Sequence, residues 1–262
     1  MTTGFGGHLK LWRTARRYSQ LDLATTADVS QRHLSFLESG RSNPSREMVL
    51  HLAAVLDVPL RRQNEMLVAA GFAPAYRQGA VGADDFAGIG AALERVLVAH
   101  EPNPAVMVDR AWNVVMSNAA ATRLTPRLVD PATPAIDDGL NLIRLALHPE
   151  GLRRVTVNFD EVASVLVGRL EDEVLADPTD TVLGDLLDEV LAYPGVARPE
   201  RGAGPAELVV PIHYRTDDFE LRLFTLIATI GSPGDISLDE LRLETFLPVD
   251  AASAEVLAGL AA

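Results

Sequence analysis

The sequence predicts two domains, an all-α bundle of five helices followed by an α+β domain with an antiparallel sheet and helices. Three observations carry this prediction. Up to about residue 71 the apolar residues recur at helical spacing between well-marked helix ends, and strand-like alternation begins only beyond residue 105. The charge divides in the same place: residues 1–76 hold nine basic and six acidic side chains, a net of +3, whereas the other 186 residues carry a net of −16. Opposed halves of this kind point to two parts with different partners. Finally, 48% hydrophobic and 23% charged residues over 262 positions suffice to bury a core in each part. The absence of cysteine excludes disulfides, thiolate metal sites and thiol nucleophiles. No apolar run reaches the roughly eighteen residues of a membrane span, and MTTGFGGHLKLWRTARR lacks the apolar stretch of a secretory signal, so the expectation is a cytoplasmic chain with no membrane partner.

The first domain is expected over residues 1–72. Leu9, Trp12 and Arg13 share a face of a first helix that stops near Tyr18. Ser19 then caps a helix whose Leu23 and Ala24 point inward, and Ala27-Asp28-Val29 makes a tight turn. Ser30 caps a third helix in which Leu34 and Leu37 face inward while Gln31, Arg32, His33 and Ser35 face out. Gly40 ends it as a left-handed cap. Asn43-Pro44-Ser45 opens a fourth helix with Val49, Leu52, Ala53 and Leu56 at i, i+3, i+4 and i+7. A fifth begins with Pro59 at its first helical position and closes at Gly71.

Two short helices joined by a tight turn, with amide, guanidinium and hydroxyl groups at the start of the second, meet the requirements of major-groove reading. The stretch SQLDLATTADVSQRHLSFLESGRSNPS resembles the SQxxLAxxxGVSxxxISxxExGRxxPS signature of phage-repressor-type (Cro/C1, or XRE) helix-turn-helix domains, with residues 9–63 spanning the whole lambda-repressor-like module. Two positions depart from that pattern, Asp28 and Asp57, where glycine is usual; Asp tolerates a left-handed backbone better than most residues. The resemblance implies that Gln20 grips a phosphate and props the recognition side chains. By the same pattern Ser30, Gln31, Arg32 and Ser35 fall at base-reading or phosphate positions, His33 at a phosphate contact, and Arg41, Ser42 and Asn43 at backbone contacts. It implies an Arg13–Glu38 pair with a structural role. For each polar residue the alternative is a solvated helix face. A net of +3 is weak for one DNA-binding module, so the expected binder of double-stranded DNA is a homodimer reading two half-sites.

Residues 73–88, with three glycines and a proline, read as a linker, leaving 89–262 for the second domain. There a helix over 89–100 precedes a strand at 105–108, a turn at Asp109-Arg110, a strand with Trp112, Val114 and Met116 alternating, and a helix capped by Asn118. Helices come next over 140–147, 159–174 and 182–191. The last strands are 207–214 and 219–230, joined as a hairpin, and 241–247, where arginine, glutamate and threonine alternate with leucine and phenylalanine. Two strands, then helices, then three strands is the order of PAS-type sensor domains.

The phrases NLIRLALHPEGLRRVTVNFDEVASVLVGRLEDEV and FTLIATIGSPGDISLDELRLETFLPVD resemble the ligand-binding domain of MmyB-like transcription regulators, over residues 86–250. Phe159 and Ser117 stand where that family often has tryptophan. The resemblance implies a PAS-like domain holding a small hydrophobic ligand, such as a fatty acyl chain. Met107, Trp112, Met116, Phe159, Leu166, His213 and Phe224 are the pocket candidates, being large, adaptable or aromatic on expected inward faces; core packing is the alternative for each. His148 is expected to brace a helix end.

Enzyme readings find no support. The chain has no H-E-x-x-H, G-x-S-x-G or P-loop pattern, and the acids of RLEDEVLAD (169–177) read as a solvated helix face, not a metal site. No cofactor is expected. The sequence thus predicts a dimeric, ligand-modulated, DNA-binding regulator; the alternative is an interaction module or antitoxin-like repressor whose second domain only dimerises.

Overall fold

The computed structural model describes residues 4–79, 87–133, 139–199, 209–231 and 234–261. The chain divides into two compact units, the first built on residues up to Gln78 and the second on most of the chain from Gly79 onward.

Unit 1 contains α1 (Phe5–Ala15), α2 (Gln20–Thr26), α3 (Gln31–Glu38), α4 (Arg46–Val55) and α5 (Leu60–Ala69). None is long enough to be stable alone, so a shared core must hold them. Leu9, Trp12, Leu23, Leu34, Leu37, Leu52 and Met66 form that core and are essentially inaccessible to solvent. Helix ends follow from local chemistry. Ser19 and Asp22 close a capping box on α2, Ser30 accepts from the His33 amide at 3.1 Å, and Ser45 accepts from the Met48 amide at 3.2 Å. Pro59 occupies the cap position and Leu60 the first turn, one residue later than the sequence predicts, because Pro59 has an extended ψ of 147°. The two departures from glycine are real left-handed positions: Asp28 has φ 51° and Asp57 φ 48°. α1 and α3 meet at Gly6, where a Cβ would lie 2.5 Å from the backbone oxygens of Leu37 and Glu38.

Residues 73–79 of the expected linker are tied to α5. Asn64 accepts from the amides of Ala75 and Tyr76 and donates to the Tyr76 carbonyl, while the Tyr76 hydroxyl donates to Gln63. Residues 80–86 lie outside the described part.

Unit 2 contains α6 (Ala87–Ala99), β1 (Ala105–Val108), β2 (Val114–Ser117), α7 (Ala119–Leu128), α8 (Leu142–Leu147), a 3-10 turn at Leu152–Val155, α9 (Phe159–Ala176), α10 (Thr181–Leu191), β3 (Ile212–Arg215), β4 (Glu220–Thr229), β5 (Arg242–Pro248) and α12 (Ala251–Ala261); a short α11 (Ile236–Asp239) groups with unit 1. The five strands form one antiparallel sheet in the order 2-1-5-4-3, with the last strand in the middle. Residues 207 and 208 of the expected first hairpin strand are outside the described part.

Strand parity sorts the side chains. Val106, Val114, Leu221, Leu223 and Phe246 face the apolar layer that α7, α8, α9 and α10 complete. Met107 pairs with Met116 and with Leu243, and these lie on the other face, where Leu93 and Val96 of α6 approach Met107, Ala228 and Leu243. Asn118 knots three elements together. Its Oδ1 accepts from Ala121 at the start of α7 and from Ala105 of β1, and its Nδ2 donates to Leu97 of α6 and to Asn103. Trp112 does not continue β2 as the alternation predicts. It sits in the β1–β2 turn at φ 66°, a turn organised by Asp109 Oδ1, which accepts from the Ala111 and Asn113 amides. The sequence reading does not include helix α12; Leu257 packs it on Leu124, Leu128 and Leu221.

Candidate DNA-reading face and ligand cavity

On α3, at 100° per residue, Gln31, Ser35 and Arg32 span about a quarter turn on the side away from Leu34 and Leu37. Gln31 and Arg32 are exposed, and the Ser30 cap leaves the first turn free for them. His33 is rotated to the flank of this face and is half-buried. Arg41, Ser42 and Asn43 follow Gly40, whose φ of 71° turns the chain back; the Arg41 and Ser42 amides both donate to the Phe36 carbonyl. Phe36, which sequence reasoning passed over, is the hub of this surface. The Arg32 guanidinium carbon lies 5.3 Å from its ring centre and that of Arg41 6.0 Å, so one ring steers two cations by cation–π contact. The signal was available as an aromatic four residues after one arginine and five before another.

Behind this face, Arg13 Nε donates to Glu38 Oε1 at 2.5 Å and Nη2 to Oε2 at 3.1 Å, with both side chains largely buried. The expected structural pair is present. Gln20 Nε2 also donates to Glu38 Oε2, at 2.7 Å, which uses one of its two N–H groups and holds the side chain at the start of α2. Burial alone would raise the Glu38 pKa, but the hydrogen bonds from Arg13 and Gln20 win and hold it below the usual carboxylate range.

In unit 2, the sheet and α7, α8 and α9 line a cavity of about 90 Å³. Its walls are almost wholly apolar, with Val106, Leu124, Leu128, Ile143, Val162 and Phe246 among them. Of the seven pocket candidates, Trp112 and Leu166 line it. Met107, Met116, His213 and Phe224 are not brought there, because all four fall on the opposite face of the sheet: Met107 pairs with Met116, and His213 pairs with Arg222, two residues from Phe224. His213 Nε2 instead contacts Glu220 Oε1 at 2.5 Å. Phe159 lies at the start of α9 beneath the Arg153 guanidinium, 4.4 Å from its ring centre. His148 braces the end of α8 as expected, accepting from the Glu150 amide and meeting Tyr193 edge-on at 5.1 Å.

One end of the cavity is charged. Trp112 Nε1 donates to Glu173 Oε2 at 2.9 Å, Arg242 pairs with Glu173, and the guanidiniums of Arg169 and Arg242 lie 5.5 and 5.2 Å from the Trp112 ring. Glu244, on the inner face of the central strand, lines the cavity at 3% exposure. Its nearest opposite charge is Arg169 Nη1 at 3.8 Å, beyond hydrogen-bond reach. Burial pushes the Glu244 pKa up to about 6; Arg169, the Thr225 hydroxyl and Arg242 oppose the shift, and Glu173 reinforces it. The acids of RLEDEVLAD are therefore not uniformly a solvated face: Glu171 is buried against Arg198, and Glu173 joins this cluster. Among the described residues no helix is long and apolar enough to cross a membrane.

A small helical unit with a polar outward helix face, followed by an α+β unit with an apolar cavity, fits a DNA-binding regulator that carries a ligand-binding domain. Comparison with known proteins agrees. A helix-turn-helix family model matches residues 9–63, and the model of the MmyB-like transcription regulator ligand binding domain matches residues 89–260. The chain belongs to the MmyB-like transcription regulators. A comparison with curated proteins found no match.

Proposed function

We propose that the protein is a dimeric, sequence-specific transcription regulator whose DNA binding responds to a small apolar molecule held in the cavity of unit 2. The carrying observation is the pairing of Gln31, Arg32 and Ser35 on one helix face with an apolar cavity elsewhere in the same chain. Gln31 and Arg32 have the donor and acceptor geometry to read adenine and guanine edges in the major groove. Ser30, Ser35, His33, Arg41, Ser42 and Asn43 serve as sugar-phosphate or flanking base contacts, and the Gln20 amide orients the surface through Glu38.

The strand order 2-1-5-4-3 supports a PAS-like sensor, and the resemblance supports an acyl-type tail for the ligand. Dimerisation is supported by the weak positive charge of unit 1 and by the exposed Val96, Val98 and Leu226 of unit 2. Two half-sites lie about 34 Å apart, one helical turn. Ligand acts by its differential affinity for the DNA-competent and incompetent dimers.

The test joins two measurements. Selection from random duplexes should return a palindrome of two half-sites bound by a dimer, and native mass spectrometry before and after organic extraction should show a copurifying apolar molecule. A stable monomer on selected DNA, or a clean apo mass after gentle handling, overturns the corresponding half of the reading.

A further inference from the structure

The helices of unit 1 all end in the same way. The residue after each cap takes a left-handed backbone and donates to the carbonyl three residues back, and its successor donates to the carbonyl five residues back. The left-handed residues are Arg17, Asp28, Gly40, Asp57 and Gly71. Glycine adopts this conformation freely and aspartate tolerates it, whereas arginine at φ 60° is strained. Strain kept where glycine would relieve it points to a use for the side chain.

That use is not inside the fold. Arg17 is exposed, and among the described residues its guanidinium has no hydrogen bond and no ion pair. The acids next to this turn are committed elsewhere, Asp22 to the Ser19 amide and Glu38 to Arg13 and Gln20. The place of the turn is nonetheless fixed. Arg13 Nη1 donates to the Tyr18 carbonyl at 2.8 Å while Nε and Nη2 hold Glu38, so the turn bearing Arg17 is tied to the last residue of α3. The Arg41–Asn43 loop leaves α3 from that same end. An unpaired, exposed cation on a pinned turn is what a backbone phosphate contact requires.

We propose that Arg17 is a further phosphate contact of the reading unit, its guanidinium neutralising one backbone phosphate of the duplex. This inference rests on the proposed DNA-binding role of unit 1 and adds a residue to it. The partner is a phosphate and not a base edge, because Arg17 lies off the helix that reads the groove.

The test measures binding of the full chain to the selected operator and to a random duplex over a series of salt concentrations, together with thermal melts. Arg17→Gly should melt higher than the unaltered protein, because the strain is gone, and yet bind both duplexes less tightly. The loss should be roughly five- to ten-fold for each copy bound at about 0.1 M salt, and the slope of log affinity against log salt should become shallower by about 0.9 per copy. Arg17→Lys should keep the slope. Arg95→Gln, which removes an equal charge from α6, should leave it unchanged as well. A stability gain without loss of affinity in Arg17→Gly, or an equal change of slope in Arg95→Gln, overturns the phosphate contact while leaving unit 1 a DNA reader. Failure of the unaltered, folded protein to bind any duplex overturns both.

Discussion

Gln20 donates its side-chain amide to Glu38 over 2.7 Å, and thereby links the first residue of α2 to the last residue of α3 through the carboxylate that Arg13 also grips. The two helices of the reading motif are thus joined by polar contacts at their far ends and by Leu23, Leu34 and Leu37 in between.

This three-residue network sets a first prediction. Glu38→Ala leaves Arg13 largely buried with no opposite charge, and removing one member of such a pair costs about 3–5 kcal/mol. The Glu38 pKa is depressed in the folded state, so its contribution is present above the ordinary carboxylate range and is lost as pH falls through the folded value. Denaturant unfolding of unit 1 should therefore weaken toward acid pH in the unaltered protein and lose part of that dependence in Glu38→Gln. An unchanged pH profile would show that the pair does not contribute.

The face of α3 sets a second. Arg32→Ala should cost about 1–3 kcal/mol on the selected operator and relax base preference at one position, whereas Arg41→Ala should weaken operator and random duplexes alike. Phe36→Leu keeps the apolar bulk but removes the ring under both guanidiniums. It should lower affinity for both kinds of DNA with little loss of thermal stability. Equal losses for all three variants on both DNAs would contradict the division of roles.

Backbone conformation sets a third. Asp28→Gly and Asp57→Gly relieve left-handed strain and should each raise stability by up to about 1 kcal/mol, offset in part by the greater freedom of glycine in the unfolded chain. Gly6→Ala should do the opposite, because its methyl group would meet the carbonyl oxygens at the end of α3 and the two helices must separate. Thermal melts of the three variants decide this, and a stable Gly6→Ala protein would disprove the close approach.

Glu244 sets a fourth. Its folded pKa of about 6 exceeds the ordinary value near 4.5, so the folded state binds the extra proton and stability falls as pH rises between the two values. The charged groups bearing on it are Arg169 and Glu173 from α9 and Arg242 from β5. About 2 kcal/mol should be lost between pH 4 and 7 on this account. Relative to Glu244→Gln the unaltered protein should fare progressively worse over that interval, and a pH-independent difference between the two would refute the raised pKa.

Much of the first unit is legible in the sequence because its signals are local. Ser19, Ser30 and Ser45 each accept from the amide three residues on, and the left-handed turns at Asp28 and Gly40 follow directly. The second unit is legible in its order of elements but not in its faces. In β5 the alternation alone would set the leucines against the core, yet Glu244 and Phe246 face the cavity, while Leu243 lies with Met107 on the other face. A central strand covered on both sides has no polar face for alternation to mark. Trp112 escapes the sequence reading for a related reason, since nothing in Ala111-Trp112-Asn113 announces a positive φ; the Asp109 side chain imposes it through hydrogen bonds.

Caps, periodicity and charge act within a few residues of one another, and they suffice to specify the two-part architecture, the reading helix with its outward residues, and the families to which the parts belong. Three features lie beyond their reach and emerge with the folded chain: which strand face closes over the cavity, the seating of both Arg32 and Arg41 on Phe36, and the nearly complete burial of Glu244 with one oxygen unpartnered. These are matters of register and of contacts between elements, and a shift of one residue in the pairing of β5 would have exchanged the two faces of that strand.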